Sequence, residues 1–304
     1  MENLSMVFVA LIAGALRVST PFLFVSLGEC LTEKSGRINL GNEGALVLGA
    51  MTAYAFSYET GSPWLGVLAA MCAGGALGLL HGLVCSLARV NDIAMGIAVM
   101  LAGIGIAFFF GKPYIQPSAP QLPVLPLGFW SDTPQIRSAL DVSPLFFLGL
   151  LIAVFMAWAF KNTRTGLVVR IVGDSADAAR AMGLPIDRIR ILSTVAGSAL
   201  AGVGGSFLSL SYPGSWNEGL SSGQGLVAVA LVVFARWNPI ACVGAALLFG
   251  AAGALGPSLQ TIGVTQGYYL FYAAPYVLTL VIMVLTVAPG RVLRGMPGEL
   301  SLTR

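Results

Sequence analysis

The sequence predicts an all-α fold, a polytopic membrane helix bundle, and three observations predict it. Of 304 residues, 57% are hydrophobic and 10% charged, where a soluble domain carries roughly 25% charged residues. Apolar runs near twenty residues recur along the chain, and about twenty apolar residues span a bilayer as a helix. Within these runs polar and apolar residues do not alternate one by one, which excludes the strands of a membrane barrel. Thirty-eight glycines suit close helix packing in lipid.

Hydropathy marks about nine segments: 6–31, 40–58, 64–88, 93–111, 144–160, 191–210, 225–236, 239–255 and 268–287. The first is long and contains Arg17 and Pro21. It reads as one span or as two short helices, because proline is tolerated at membrane depth where neighbouring protein satisfies the freed backbone groups. No tandem repeat and no low-complexity tail interrupts the chain, so residues 1–304 read as a single transmembrane domain. The N-terminus has no basic stretch followed by a small-residue cleavage site, so no removed signal peptide is expected.

Lysine and arginine set the orientation. Residues 161–190 hold Lys161, Arg164, Arg170, Arg180, Arg188 and Arg190, and the tail holds Arg291, Arg294 and Arg304. Both belong in the cytoplasm, and the even number of segments between them agrees. Residues 112–143 then fall outside. This stretch, with "YIQPSAPQLPVLPLGFW", reads as an ordered external cap rather than a linker. The turn at Arg89 and residues 33–37 fall inside. The N-terminus is outside if the first segment is one span and inside if it is two.

The net charge of +3 gathers in a few loops. That is the positive-inside pattern, so the partner it implies is a lipid bilayer and not nucleic acid. Cys30, Cys72, Cys85 and Cys242 form no CxxC pair and read as small buried hydrophobes. His81, the one histidine, reads as a satisfied packing residue. No HExxH, GxSxG or GxxxxGK[ST] motif and no His/Cys cluster is present. The chain is therefore expected to be no enzyme, with no catalytic residue, metal site or cofactor. If it pumps a solute, the energy comes from elsewhere.

Three polar stretches stand out. "SGRINLGNEGALVLGA" starts at Ser35 and places Asn39, Asn42 and Glu43 among glycines at the mouth of an apolar helix. An unpaired carboxylate at the bilayer centre costs about 2.5–3.5 kcal/mol. The stretch is either an interfacial cap or a broken helix start beside a polar pathway. "GDSADAARAMGLP" starts at Gly173. Asp174 reads as an N-cap and Gly183 as the residue after the C-cap, bounding a helix over 175–182 with an exposed alanine-rich surface. Such a helix suits insertion into a partner's groove. "SYPGSWNEGLSSGQGLVAVALVVFARWNP" starts at Ser211. It places Asn217 and Glu218 outside, before a short apolar helix, with Arg236 and Trp237 at the inner interface. Asn91 and Asp92, at the head of the fourth segment, either cap that helix or line the pathway.

These stretches resemble the motifs of ABC-importer permeases of the simple-sugar, nucleoside and branched-chain amino-acid group. Gly36, Asn39, Gly41, Glu43 and Gly44 match the family's G-x-x-N-x-G-x-E-G signature. "GDSADAARAMGLP" looks like its coupling segment, and "GQGLVAVALVVFARWNP" is similar to its C-terminal motif. The resemblance runs from about residue 17 to 291 and is closest to the nucleoside-type branch. Two departures stand out: Ala235 occupies a motif glycine, and "AMGIAVMLAG" carries Met95 and Met100 where nucleoside-type members often carry an asparagine.

The resemblance implies a bundle of about 9–10 transmembrane helices, similar to the vitamin B12 importer class. A count of ten splits the first segment in two and puts the N-terminus inside. It implies the permease subunit of an ATP-driven importer for nucleosides or a related polar solute such as a simple sugar. The implied partners are a second, different permease chain, a duplicated cytoplasmic ABC ATPase that binds ATP and Mg, and an external solute-binding protein. The implied location is a bacterial inner membrane. Asn39, Asn42, Glu43, Asn91, Asp92, Asn217 and Glu218 become the pathway candidates. Asp174, Ser175, Asp177, Ala178, Ala179, Met182, Gly183 and Leu184 become the ATPase-coupling residues. The alternative is an ion-coupled secondary transporter using Asp92 or Glu43, although no inverted repeat is visible.

Overall fold

A computed structural model describes residues 2–87, 89–129, 137, 140–260, 273–286 and 295–302. The long apolar segments are α1 Glu2–Lys34, α2 Asn42–Thr60, α3 Pro63–Val84, α4 Asp92–Gly111 and α5 Pro144–Asn162. Two short polar helices follow, α6 Arg164–Asp174 and α7 Ala176–Ala181. The chain continues as α8 Ile186–Leu210, α9 Gln224–Phe234, α10 Pro239–Gln260, α11 Ala274–Thr286 and α12 Gly298–Leu302. Strands β1 Leu125–Pro126 and β2 Asp141–Val142 form one antiparallel pair, with Leu125 opposite Val142.

The fold is a polytopic helical bundle. Among the described residues, α1, α3, α4, α5, α8 and α10 are long and apolar enough to cross a membrane. Each of the nine expected segments falls on an apolar helix. The last, 268–287, starts in residues outside those described and is seen from Ala274. The tail arginines Arg291, Arg294 and Arg304 also lie outside the described residues.

The first segment corrects the expected division. It is one continuous helix with Pro21 inside it. The Ser19 and Thr20 hydroxyls both donate to the Leu16 carbonyl, and Gly250 of α10 packs so close to this turn that a Cβ there would lie 2.7 Å from Ser19 N; proline is tolerated in a membrane helix where neighbouring protein surrounds it.

Helix α8 is the central post. It packs on α1, α2 and α3, while α1 also packs along α10. Small residues make this possible. A Cβ at Gly28 would strike the Gly197 carbonyl, and one at Gly49 would lie 2.6 Å from the Gly202 backbone. The first ten residues of α2 are all buried, so this half of the helix has no lipid face. Helix α4 is the reverse: Ile97, Leu101, Phe109 and Phe110 lie exposed along it.

Residues 112–129 fold over the end where α2 and α8 finish. Tyr54 donates its hydroxyl to the Pro117 carbonyl at 2.8 Å, Ser57 donates to Pro120 at 2.6 Å, and Leu122 N–H donates to Leu210 O at 2.9 Å. Trp216, buried, donates its indole N–H to Gly111 O at 2.9 Å. The opposite end gathers the end of α1, α6, α7, the start of α8 and α12.

Three cysteines, Cys30, Cys85 and Cys242, are buried as expected. Cys72 is exposed on α3, because an apolar run on a membrane helix has an outward face as well as a packed one.

Candidate functional site

Helix α1 ends at Lys34 and α2 begins at Asn42. The seven residues between them form a turn closed by Gly36 at φ +87°, a left-handed backbone that glycine adopts freely. The turn is held by a carboxyl group from α1. Glu29 Oε1 accepts the Asn39 backbone N–H at 2.8 Å, and Glu29 Oε2 accepts Asn42 Nδ2 at 2.7 Å. Asn39 Nδ2 donates to Asn42 Oδ1 at 3.1 Å and to Ser198 Oγ of α8 at 2.8 Å. Ser198 donates onward to Asn42 Oδ1 at 3.1 Å, and Asn39 Oδ1 accepts the Gly41 N–H at 3.0 Å. All four side chains are buried. Buried polar groups are tolerable only when paired, and here each is paired within the cluster.

Glu43 lies one residue further and faces another element. Its Oε1 accepts the Ser221 hydroxyl and its Oε2 accepts the Gly225 N–H, both at 2.6 Å. Gly225 is the second residue of α9. A helix N-terminus leaves its first amides without intrahelical partners, and a carboxylate there meets the positive end of the dipole. Glu43 therefore caps α9 from across the bundle.

One turn beyond Glu29, Glu33 accepts the indole N–H of Trp237. Trp237 is buried: its indole faces a protein acceptor rather than lipid. Arg236 and Trp237 carry φ +50° and +55°, while Ala235 sits at φ −71°. The departure from the family's glycine therefore costs nothing at Ala235 itself.

Asn91 behaves as a cap. Its side chain accepts Ile93 N–H at 2.9 Å and Ala94 N–H at 3.0 Å. Asp92 pairs with the buried Arg37 at 3.8 Å, and Arg37 also reaches Ser86 at 3.4 Å. His81 is buried, yet neither ring nitrogen has a hydrogen-bond partner among the described residues, which corrects the expectation of a satisfied histidine. Asn217 and Glu218 are exposed, and Asn217 Oδ1 accepts the Gly219 N–H to form a turn. At the same end a cavity of about 210 Å³ opens beside Arg17, Asp141, Ser143 and Tyr212. The site candidates thus divide. Asn39, Asn42 and Glu43 share one buried region with Ser198 and Ser221. Asp92 reaches the same turn through Arg37, while Asn91 and Asn217 bond within their own turns and Glu218 is exposed.

The coupling segment is better defined than its sequence suggests, with two corrections. The N-cap is Ser175, whose hydroxyl accepts the Ala178 N–H at 3.2 Å. Asp174 ends the preceding helix instead, because Ser175 is the residue in extended backbone, as a cap requires. Ala179 is fully buried: on so short a helix one face must pack on the chain. The outward face carries Asp177, Ala178, Ala181 and Met182. Gly183 at φ +72° ends the helix, with Leu184 N–H donating to Ala179 O at 3.0 Å.

Sequence reasoning missed Glu29, Glu33, Ser198 and Ser221. The legible signal was the pair of carboxyl groups four residues apart, on one helix face, inside an otherwise apolar run. Helix α6 lies in the stretch 161–190, where basic residues mask apolar ones that recur with helical spacing.

The sequence matches a family described as the branched-chain amino acid transport system / permease component, over residues 11–287. It is 31% identical to the guanosine ABC transporter permease NupQ of Bacillus subtilis, covering 92% of each chain. It is 26% identical to the nucleoside ABC transporter permease NupC of Lactococcus lactis, covering 90% of this chain and 91% of that one. It is 33% identical to TsgC13 of Haloferax volcanii, named provisionally as a glucose ABC transporter permease, covering 83% and 78%.

Proposed function

The chain belongs to the branched-chain amino acid transport system / permease component family, and from that footing we propose that it forms one half of a solute pathway for nucleosides or a simple sugar. It is a multi-pass membrane permease of the ABC-transporter class, a class that implies an ATPase and a solute-binding protein as partners. In our reading a second, different permease chain completes the pathway. ATP and Mg bind on a duplicated cytoplasmic ATPase, and this chain binds no cofactor. The solute arrives on an external binding protein, and the complex sits in a bacterial inner membrane. The ion-coupled alternative has no counterpart among the relatives named above.

The observation that carries this reading is α7. A six-residue helix with a serine cap at one end and a left-handed glycine at the other presents Ala178, Ala181 and Met182 outward. Two small residues beside one apolar knob fit a groove on a partner. Asn39, Asn42, Glu29 and Ser198 then act as a fixed joint beside the pathway, since their polar atoms are spent on one another. Glu43 fixes the head of α9.

The test is reconstitution. The chain, the partner permease and the cognate ATPase in liposomes should take up the solute that the external receptor binds, with ATP inside as the sole energy source. Uptake driven by a proton gradient in the absence of ATP would refute the reading.

A further inference from the structure

We propose that Glu299 is a positioning residue of the coupling face: through it the C-terminal segment joins α7 to the inner ends of α1 and α8, so that displacement of α7 reaches the polar joint. This rests on the reading of α7 as the ATPase contact.

The geometry is a four-way junction. Glu299 Oε1 accepts the Ala176 N–H at 2.8 Å. Ala176 is the first residue of α7, and its amide has no partner within that helix. Glu299 Oε2 accepts Arg190 Nη2 of α8 at 3.0 Å. Arg190 Nε in turn donates to the Ser35 carbonyl at 3.2 Å, one residue past the end of α1. Lys34 Nζ donates to Gly295 O at 3.1 Å, tying the same end of α1 to the segment that carries Glu299.

Close approach fixes the arrangement. A Cβ on Gly298 would strike the Asp174 carbonyl, and one on Gly36 would lie 3.0 Å from the Glu299 Cβ. Leu300 is buried. The Arg190–Glu299 side chains are 15% and 19% exposed, so salt screens the pair less than an open surface pair.

A helix of six residues cannot fix its own position. It moves with whatever holds its ends. Ser175 closes the start of α7 locally, but only Glu299 among the described hydrogen bonds links that start to α8. From Arg190 the path continues to Ser35, and the Asn39 amide on Glu29 lies four residues on. Without Glu299, α7 still docks on its partner, but its movement is taken up by slack at its first turn.

The test uses the assembled complex of full-length chains in nanodiscs and proteoliposomes. In Glu299→Ala the ATPase should co-purify, and basal hydrolysis and KM for ATP should stay unchanged. Receptor-stimulated hydrolysis and uptake should fall at least about fivefold, the lower end of typical coupling effects. Glu299→Gln, which still accepts from Ala176 but no longer pairs ionically with Arg190, should fall between. Arg190→Lys, which keeps the charge opposite Glu299 but has one nitrogen for the two contacts that Arg190 makes to Glu299 and to Ser35, should also fall between. Full stimulation and uptake in Glu299→Ala overturn the proposal. So does loss of the ATPase from Glu299→Ala with no recovery in Glu299→Gln or Arg190→Lys, which marks a folding defect and not lost transmission. A wild-type chain that holds no ATPase overturns the reading of α7 and the junction with it. A wild-type chain that holds the ATPase beside a fully active Glu299→Ala overturns the junction alone.

Discussion

The carboxylate of Glu43 accepts the backbone N–H of Gly225 at 2.6 Å, across 182 residues of chain. An acidic group on one helix thereby supplies the cap that another helix lacks. The contact is charge-assisted, and such bonds are roughly twice as strong as neutral ones.

Substitution at Glu43 should give a graded result. Glu43→Gln still accepts hydrogen bonds and should lower uptake mildly. Glu43→Leu leaves the Gly225 amide and the Ser221 hydroxyl buried without an acceptor, at about 1–3 kcal/mol each, and should abolish uptake. Receptor docking should persist in both. Equal, complete loss in both variants would point instead to a protonatable role for Glu43.

The joint between α1 and α2 should be asymmetric in its tolerance. Ser198→Ala removes a donor to Asn42 Oδ1 and an acceptor of Asn39 Nδ2, but each of those groups keeps a partner in the mutual Asn39–Asn42 bond at 3.1 Å. Asn42→Leu strips Glu29 Oε2 of its donor and Asn39 Nδ2 of an acceptor together. Thermal denaturation in detergent should show a loss near 1 kcal/mol for the first and at least about 2–3 kcal/mol for the second. A larger loss for Ser198→Ala than for Asn42→Leu would contradict the assignment of Glu29 as the anchor.

On the coupling helix, position matters more than residue type. Ala181→Arg places a charge on the exposed face. It should leave the chain folded and inserted while abolishing ATPase-driven uptake, because the arginine would be desolvated in the partner's groove. Ala179→Arg forces the same charge into a fully buried site and should prevent folding outright. Solubilised yield and ATPase co-purification separate the two. If Ala181→Arg transports normally, α7 is not the contact.

The orientation is open to direct labelling. In a chain whose exposed Cys72 is replaced by serine, cysteines introduced at Ser118 and Asp177 should react with an impermeant maleimide from opposite sides of the membrane. Both positions are exposed, so reaction from one side only would overturn the assignment made from lysine and arginine.

The helices were legible because each is a long apolar run between polar punctuation: the segment expected at 144–160 is Pro144–Asn162 in the structure. What averaged out was amphipathicity. Helix α6 mixes Arg164, Arg170 and Asp174 with Leu167, Val168, Val169, Ile171 and Val172, so its mean polarity looks like a loop while its spacing is that of a helix. The polar cluster was half legible. Asn39, Asn42 and Glu43 announce themselves by their cost in an apolar setting. Their acceptors and donors, Glu29, Ser198, Ser221 and Gly225, sit on other elements, and a single sequence holds no signal for which distant residue a given helix will meet. The same reason hid Ala179, whose burial is set by what α7 packs on and not by its own pattern.

Biosynthesis meets the two carboxyl groups of α1 in a particular order. Glu29 finds its donors 10 and 13 residues downstream, so that pairing forms almost as soon as the next helix leaves the ribosome. Glu33 waits for the indole of Trp237, 204 residues later. At about 5–20 residues per second this delay is roughly 10–40 s. During that time the first helix made holds an acidic group whose eventual donor does not yet exist. Because Glu33 lies one residue from the cytoplasmic end of α1, water and lipid headgroups serve as its partners until most of the protein has been translated. A chain stalled short of residue 237 is expected to be recognised by membrane quality control as unfinished.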